Sequence, residues 1–144
     1  MNDLHNNTRV KRVIAPIAIG ANATKSGKVI DRQGYGGVEF VASYGAVTTT
    51  GTIVTLVVKE GDVTGTMTSV ADANLLGTEI LASLPVQATA RTSEVGKNVS
   101  KRVGYKGNKR YVTVDAISTG TTSVGCVSVE AVLVDPSVAP TDNP

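Results

Sequence analysis

Few residues in this sequence could act as nucleophile, base or metal ligand, and most of those stand alone. The one histidine, His5, lies in a polar leader with nothing to hold it against a nucleophile. The one cysteine, Cys126, falls in the apolar run Val124-Gly125-Cys126-Val127, where a thiol is expected to be a small buried hydrophobe. One cysteine and one histidine leave no zinc-type spacing and no internal disulfide. Asp31, Glu39, Glu60 and Asp62 could converge as paired carboxylates for acid and base work, but Glu60 and Asp62 flank Gly61 in turn-like sequence where solvated acids are ordinary. The expectation is a protein that is not an enzyme, with no cofactor and no metal.

Two glycine-rich stretches fail as nucleotide sites. In Gly20 to Lys28 six residues, not four, separate the glycines, and Val29 follows the lysine where Ser or Thr would be needed to reach a magnesium ion. In Gly34-Tyr35-Gly36-Gly37, Glu39 occupies the place of the third glycine and no strand-helix-strand pattern surrounds it. Both read as turns.

Charge carries the remaining signal. The net charge is +2, yet six basic residues lie between Lys97 and Arg110 with no acid from Glu94 to Asp115, and Arg9, Lys11 and Arg12 form a second cluster. Lys101, Arg102, Lys106, Lys109 and Arg110, with Tyr105 and Tyr111 interleaved, could hold phosphates and stack bases. A near-neutral chain attracts a polyanion weakly, whereas a local cluster suffices to set register between protein subunits. Arg9, Lys11, Arg12, Lys101, Arg102, Tyr105, Lys109 and Arg110 are therefore expected to contact a protein partner rather than nucleic acid, with Arg102 and Arg110 offering their forks to carboxylates.

The elements that must position these groups are strands. Of the 144 residues, 41% are hydrophobic and only 3% aromatic, so the core is built from Val, Ile, Leu and Ala, and the β-branched types favour a pleated surface. Strands are predicted over Val10 to Ile19, bent at Pro16; Lys28 to Arg32; Val38 to Val47; Thr52 to Lys59; Val99 to Tyr105; Arg110 to Ile117; and Ser123 to Val134. Ser69 to Leu84 is least strand-like and allows a helical turn or two, with Asp72 as a cap. Lys106-Gly107-Asn108-Lys109 reads as a tight hairpin. The fold class expected is all-β, an antiparallel β-sandwich of jelly-roll type, with Phe40, Ile53, Leu56, Val112, Val114, Val127, Val129 and Val132 in its core.

The domain spans 10–135, between an N-terminal arm of residues 1–9 and an extended C-terminal tail, 136–144, carrying Pro136, Pro140 and Pro144. Both arms are expected to lie along neighbouring chains. No apolar run approaches bilayer length and the N-terminus has no apolar signal core, which predicts synthesis in a bacterial cytoplasm and no membrane association.

Five segments carry a resemblance: Lys28-Val-Ile-Asp-Arg-Gln-Gly-Tyr35, Val58-Lys-Glu-Gly-Asp62, Ser69 to Thr78 (Ser-Val-Ala-Asp-Ala-Asn-Leu-Leu-Gly-Thr), Lys101 to Val112 (Lys-Arg-Val-Gly-Tyr-Lys-Gly-Asn-Lys-Arg-Tyr-Val) and Val132 to Pro140. Together they resemble small proteins encoded near the capsid genes of tailed bacteriophages and prophages. The resemblance implies a virion protein of the head, a cement or decoration protein on the outer capsid lattice, with the major capsid protein and copies of itself as partners. It implies no catalytic residue. A neck or tail subunit (tube or terminator) and a nucleic-acid-binding module are the alternatives.

Overall fold

The computed structural model describes residues 3–20, 22–47, 50–87, 89–120 and 125–138, with only the backbone of Gly125. Ten strands run in chain order: β1 (Thr8–Ile19), β2 (Thr24–Ser26), β3 (Ile30–Asp31), β4 (Tyr35–Tyr44), β5 (Ile53–Val63), β6 (Thr66–Ser69), β7 (Leu75–Leu76), β8 (Val99–Tyr105), β9 (Tyr111–Thr119) and β10 (Gly125–Pro136). One-turn helices α1 (Leu4–Asn7) and α2 (Glu79–Ala82), and a 3-10 turn at Asp72–Asn74, complete the set.

The first sheet has the order β1-β10-β4-β8-β7, and the second β2-β9-β5-β6, with β3 also on β9. With β3 and β7 set aside as short additions, eight strands remain. Numbered in chain order, they run one-eight-three-six in one sheet and two-seven-four-five in the other, which is the jelly-roll order of two interleaved Greek keys. All the pairings are antiparallel. The expected fold class is therefore the one observed.

Period-two burial explains why these strands pair as they do. In β4, Val38, Phe40, Ala42 and Tyr44 face in while Glu39, Val41 and Ser43 face out, and β10 buries Val127, Val129, Ala131 and Leu133 on the same core. β5 contributes Val54, Leu56 and Val58 from the opposite sheet, and β9 contributes Val112, Val114 and Ala116. Two expected core residues, Ile53 and Val132, have the wrong parity and lie on outward faces, only partly covered. Cys126 is exposed rather than buried for the same reason, since its neighbour Val127 takes the inward position.

β1 is an edge strand, and its register with β10 shifts between Arg12 and Ile14 and again before Ile17, around Pro16. Proline is tolerated there because an edge position has no second ladder to lose. The expected helical segment contains two separate short turns. Thr78, not Asp72, is the cap of α2, its hydroxyl accepting from the Leu81 amide at 3.1 Å.

The segment expected to be a hairpin, Lys106 to Lys109, is a crossover. β8 belongs to the first sheet and β9 to the second, so the chain passes from one layer to the other, and none of its residues has positive φ. The arm expected over 1–9 is also corrected in part. Residues 4–7 form α1, closed by Asp3 accepting from the Asn6 amide at 3.1 Å, and Thr8 and Arg9 already pair with Val134 and Leu133. Pro136 likewise belongs to β10, opposite Tyr35, and the tail from 139 onward lies outside the described residues.

Candidate functional site: two basic clusters and an apolar trough

The crossover is held by the side chains it was expected to present to a partner. Tyr105 is fully buried at the end of β8, its hydroxyl donating to Glu60 and accepting from the Lys109 amide at 3.0 Å. Burial first, and the Glu60 carboxylate second, push the Tyr105 phenol up to about 12. Gly107 lies against that ring so closely that a Cβ there would meet the Tyr105 hydroxyl and ring carbons. Arg32 also sits over the ring, 5.3 Å from its centroid, donating to the carbonyls of Lys109 (2.7 Å), Gly107 (2.6 Å) and Tyr35 (2.8 Å).

The cations around this lock are closed on acids of the same chain. Arg110 makes a two-pronged contact with Asp31, at 3.0 and 2.7 Å, and those hydrogen bonds hold the Asp31 carboxyl below its ordinary range. Lys109 meets Asp62 at 2.5 Å and Arg102 meets Glu39 at 3.5 Å. Lys101 donates to the Ser83 carbonyl at 2.8 Å, with burial lowering its ammonium pKa. The four acids considered as paired carboxylates are thus each beside a different partner, Glu60 with Tyr105 and the other three with cations. Among the described residues no group of three or more His, Cys, Asp or Glu is placed to hold a metal ion, and no helix is long and apolar enough to cross a membrane.

The N-terminal cluster is different. Arg9 and Lys11 pair with Leu133 and Ala131, so they occupy inward-facing positions of edge strand β1, while Arg12 pairs with Glu130 on the outward face. Among the described residues no carboxylate oxygen lies within 4.0 Å of Arg9, Lys11, Arg12 or Lys28. Lys11, Arg12 and Lys28 line a cleft of about 420 Å³ between β1 and the β3 segment, where Lys11 Nζ donates to the Asp31 carbonyl at 3.3 Å. Burial, and then the like charge of Arg9, lower the Lys11 pKa.

A third feature escapes any list of polar residues. On the outward face of the first sheet, Val10, Val132 and Glu39 lie side by side in register, as do Arg12, Glu130, Val41 and Arg102 in the next row. Bordered by Leu4 of α1 and Leu76 of β7, this face is a concave trough of about 460 Å³ with Val41, Val132 and Val134 on its floor. Leu4, Val10 and Leu76 are each more than half exposed. The legible signal was Val132-Leu133-Val134, an apolar run at both parities, which marks a strand that is apolar on its outer face as well as its inner one.

No family model and no curated protein matches this sequence. Among solved structures, the chain is similar to protein YomS derived from the SPBc2 prophage, at 15% identity over 88% of this chain and 95% of that one, with a TM-score of 0.43. It is also similar to the N-terminal cellulose-binding domain of a Cellulomonas fimi β-1,4-glucanase (11% identity, 88% and 80% covered, TM-score 0.40) and to a protein of the disulfide-linked pili of Bacillus endospore appendages (15%, 91% and 93%, 0.37). Overlaps this loose say nothing of what the chain does.

Proposed function

We propose that this chain is a structural virion protein of a tailed phage, a cement or decoration protein that stabilises the head by adhering to its outer lattice. The single observation that carries an adhesive role is the outward face of the first sheet, an apolar trough rimmed by charge on a molecule whose core is otherwise complete. The cleft at Lys11, Arg12 and Lys28, where three cations outnumber the one acid, Asp31, gives a second surface, suited to carboxylates of a shell subunit. The virion setting rests on the sequence resemblance over residues 28–35, 58–62, 69–78, 101–112 and 132–140.

Electron microscopy of particles of the encoding phage, with the chain tagged, tests the assignment. Label regularly spaced over the head surface is the expected result. Label confined to rings or tubes would move the protein to the neck or tail, and particles without label would end the virion reading.

A further inference from the structure

We propose that Lys11 is a modification site, acylated at Nζ by small acyl phosphates whose phosphate is held by Arg12 and Lys28. The site stands on the geometry of the cleft, and only its effect on docking rests on the adhesive reading above.

An inward-facing lysine stands on each side of the sandwich. Lys101 on β8 pairs with buried Ala42, and Lys11 on β1 with buried Ala131. On the β8 side the lysine is covered. Residues 79–84 lie against β5 and β8, the Ser83 hydroxyl accepting from the Leu56 amide at 2.9 Å and the Ser83 carbonyl from Lys101 at 2.8 Å. Arg91, the cation facing Lys101, is spent on the carbonyls of Gly96, Thr52 and Pro85. On the β1 side lies the open cleft, lined by Lys11, Arg12 and Lys28. Its frame is fixed where the sheets meet: the Lys28 amide donates to the Val13 carbonyl at 2.9 Å, and the Lys28 carbonyl accepts from the Thr113 hydroxyl at 3.1 Å.

The Lys11 amine is set up to be a nucleophile. Nζ donates to the Asp31 carbonyl at 3.3 Å, a bond the neutral amine also makes, which leaves its lone pair to the cleft. Burial, then Arg9, favour that neutral form, with Lys28 acting in the same direction and Asp31 against it. The Asp31 carboxylate is itself turned to Arg110 through two hydrogen bonds. Arg12 and Lys28 have no carboxylate oxygen within 4.0 Å among the described residues, so both are able to bind the phosphate of an anionic donor beside the amine. The Nζ lone pair forms the bond to the acyl carbon as the bond from that carbon to the phosphate oxygen breaks. Phosphate leaves with the electron pair and takes the proton that Nζ sheds. The product is a neutral amide, so the cleft then offers a shell subunit two cations instead of three.

Incubation of the full chain with acetyl phosphate, followed by peptide mass spectrometry, reads the rate at each lysine. Lys11 is expected to be acetylated faster than exposed Lys25 and faster than Lys101, which is half-buried but covered. Arg12→Gln with Lys28→Gln is expected to leave the circular dichroism unchanged and to slow the reaction at Lys11 roughly 5-fold. Acetylation by a neutral N-hydroxysuccinimide ester, which brings no phosphate, is expected to slow far less in the same variant. Lys25 or Lys101 keeping pace with Lys11 would overturn the proposal. So would equal slowing with both donors, since the cations would then act on the amine and not on the donor. A chain found on heads but not acetylated at Lys11 when free overturns this proposal alone, and one acetylated at Lys11 but absent from particles overturns the virion reading alone.

Discussion

The two basic clusters have similar composition and opposite circumstances. Between Lys97 and Arg110, three of the six cations, Arg102, Lys109 and Arg110, sit beside acids supplied by distant strands, and the last two lie where the chain passes from one sheet to the other. At Arg9 to Arg12 the cations have no carboxylate oxygen within 4.0 Å among the described residues, and Lys11 and Arg12 line an open cleft. A run of basic residues thus says little until the fold has placed the acids. The first cluster is architecture, and the second remains available to a partner.

The contrast breaks most visibly at Arg32. Arg32→Ala leaves three carbonyls without their donor and uncovers the Tyr105 ring, and is expected to cost roughly 3 kcal/mol in urea unfolding. An unchanged midpoint would mean that the crossover is held by something else. A similar loss is expected from Gly107→Ala, since the new methyl displaces Tyr105.

Next in size is an alkaline effect. A phenol whose pKa is raised on folding contributes stability that is complete below its ordinary value of 10.0 and is lost as pH rises toward about 12. Wild type is therefore expected to weaken between those values. Tyr105→Phe should lose stability at neutral pH and show a shallower alkaline decline, with burial of Tyr44 acting in the same direction in both proteins.

Asp31 gives a smaller effect of opposite sign. Its carboxyl is held low by Arg110, so its contribution is present above the ordinary value of 3.8 and fades as pH falls through the lower folded value. Asp31→Asn is expected to destabilise modestly at pH 7 and not at all in strong acid, followed by thermal melts at both. Equal losses at the two would show that packing rather than charge sets the contribution of Asp31.

For the N-terminal cluster the expected change in stability is the smallest of all. Lys11→Gln with Lys28→Gln removes like charges that face one another and should leave the melting temperature unchanged or slightly raised. Binding to heads should fall, most clearly at low salt. Arg102→Lys with Arg110→Lys removes the Arg110 fork on Asp31 and loosens the single contact of Arg102 with Glu39, and should spare binding, so loss of binding from that pair would reverse the comparison.

The strands were legible because their evidence is local. Alternation in Val38 to Ser43 and the β-branched run at Thr52 to Lys59 needed only neighbouring residues to be read, and β8 was bounded correctly at Val99 and Tyr105. What decided the crossover was not local. Gly107 and Asn108 suit a hairpin, but Tyr105 is held at Glu60, 45 residues away in sequence, and Arg110 at Asp31, 79 away. Long-range partners of this kind leave no periodicity. Ile53, Cys126 and Val132 were misassigned for a different reason: each is apolar at the parity opposite to its buried neighbours, and composition alone does not say which parity faces the core.

The pairing of β1 with β10 has a consequence in time. β1 finds its ladder only with β10, more than 100 residues later in the chain, and β10 also stands between β1 and β4, so the first sheet stays divided until β10 is made. The first sheet cannot be completed in instalments as the chain is made. Completing that sheet closes nearly the whole span from β1 to β10 into one loop, a long-range pairing typical of β-sandwiches that fold in milliseconds to seconds, and β1 has no ladder partner on β10 until synthesis has passed Gly125.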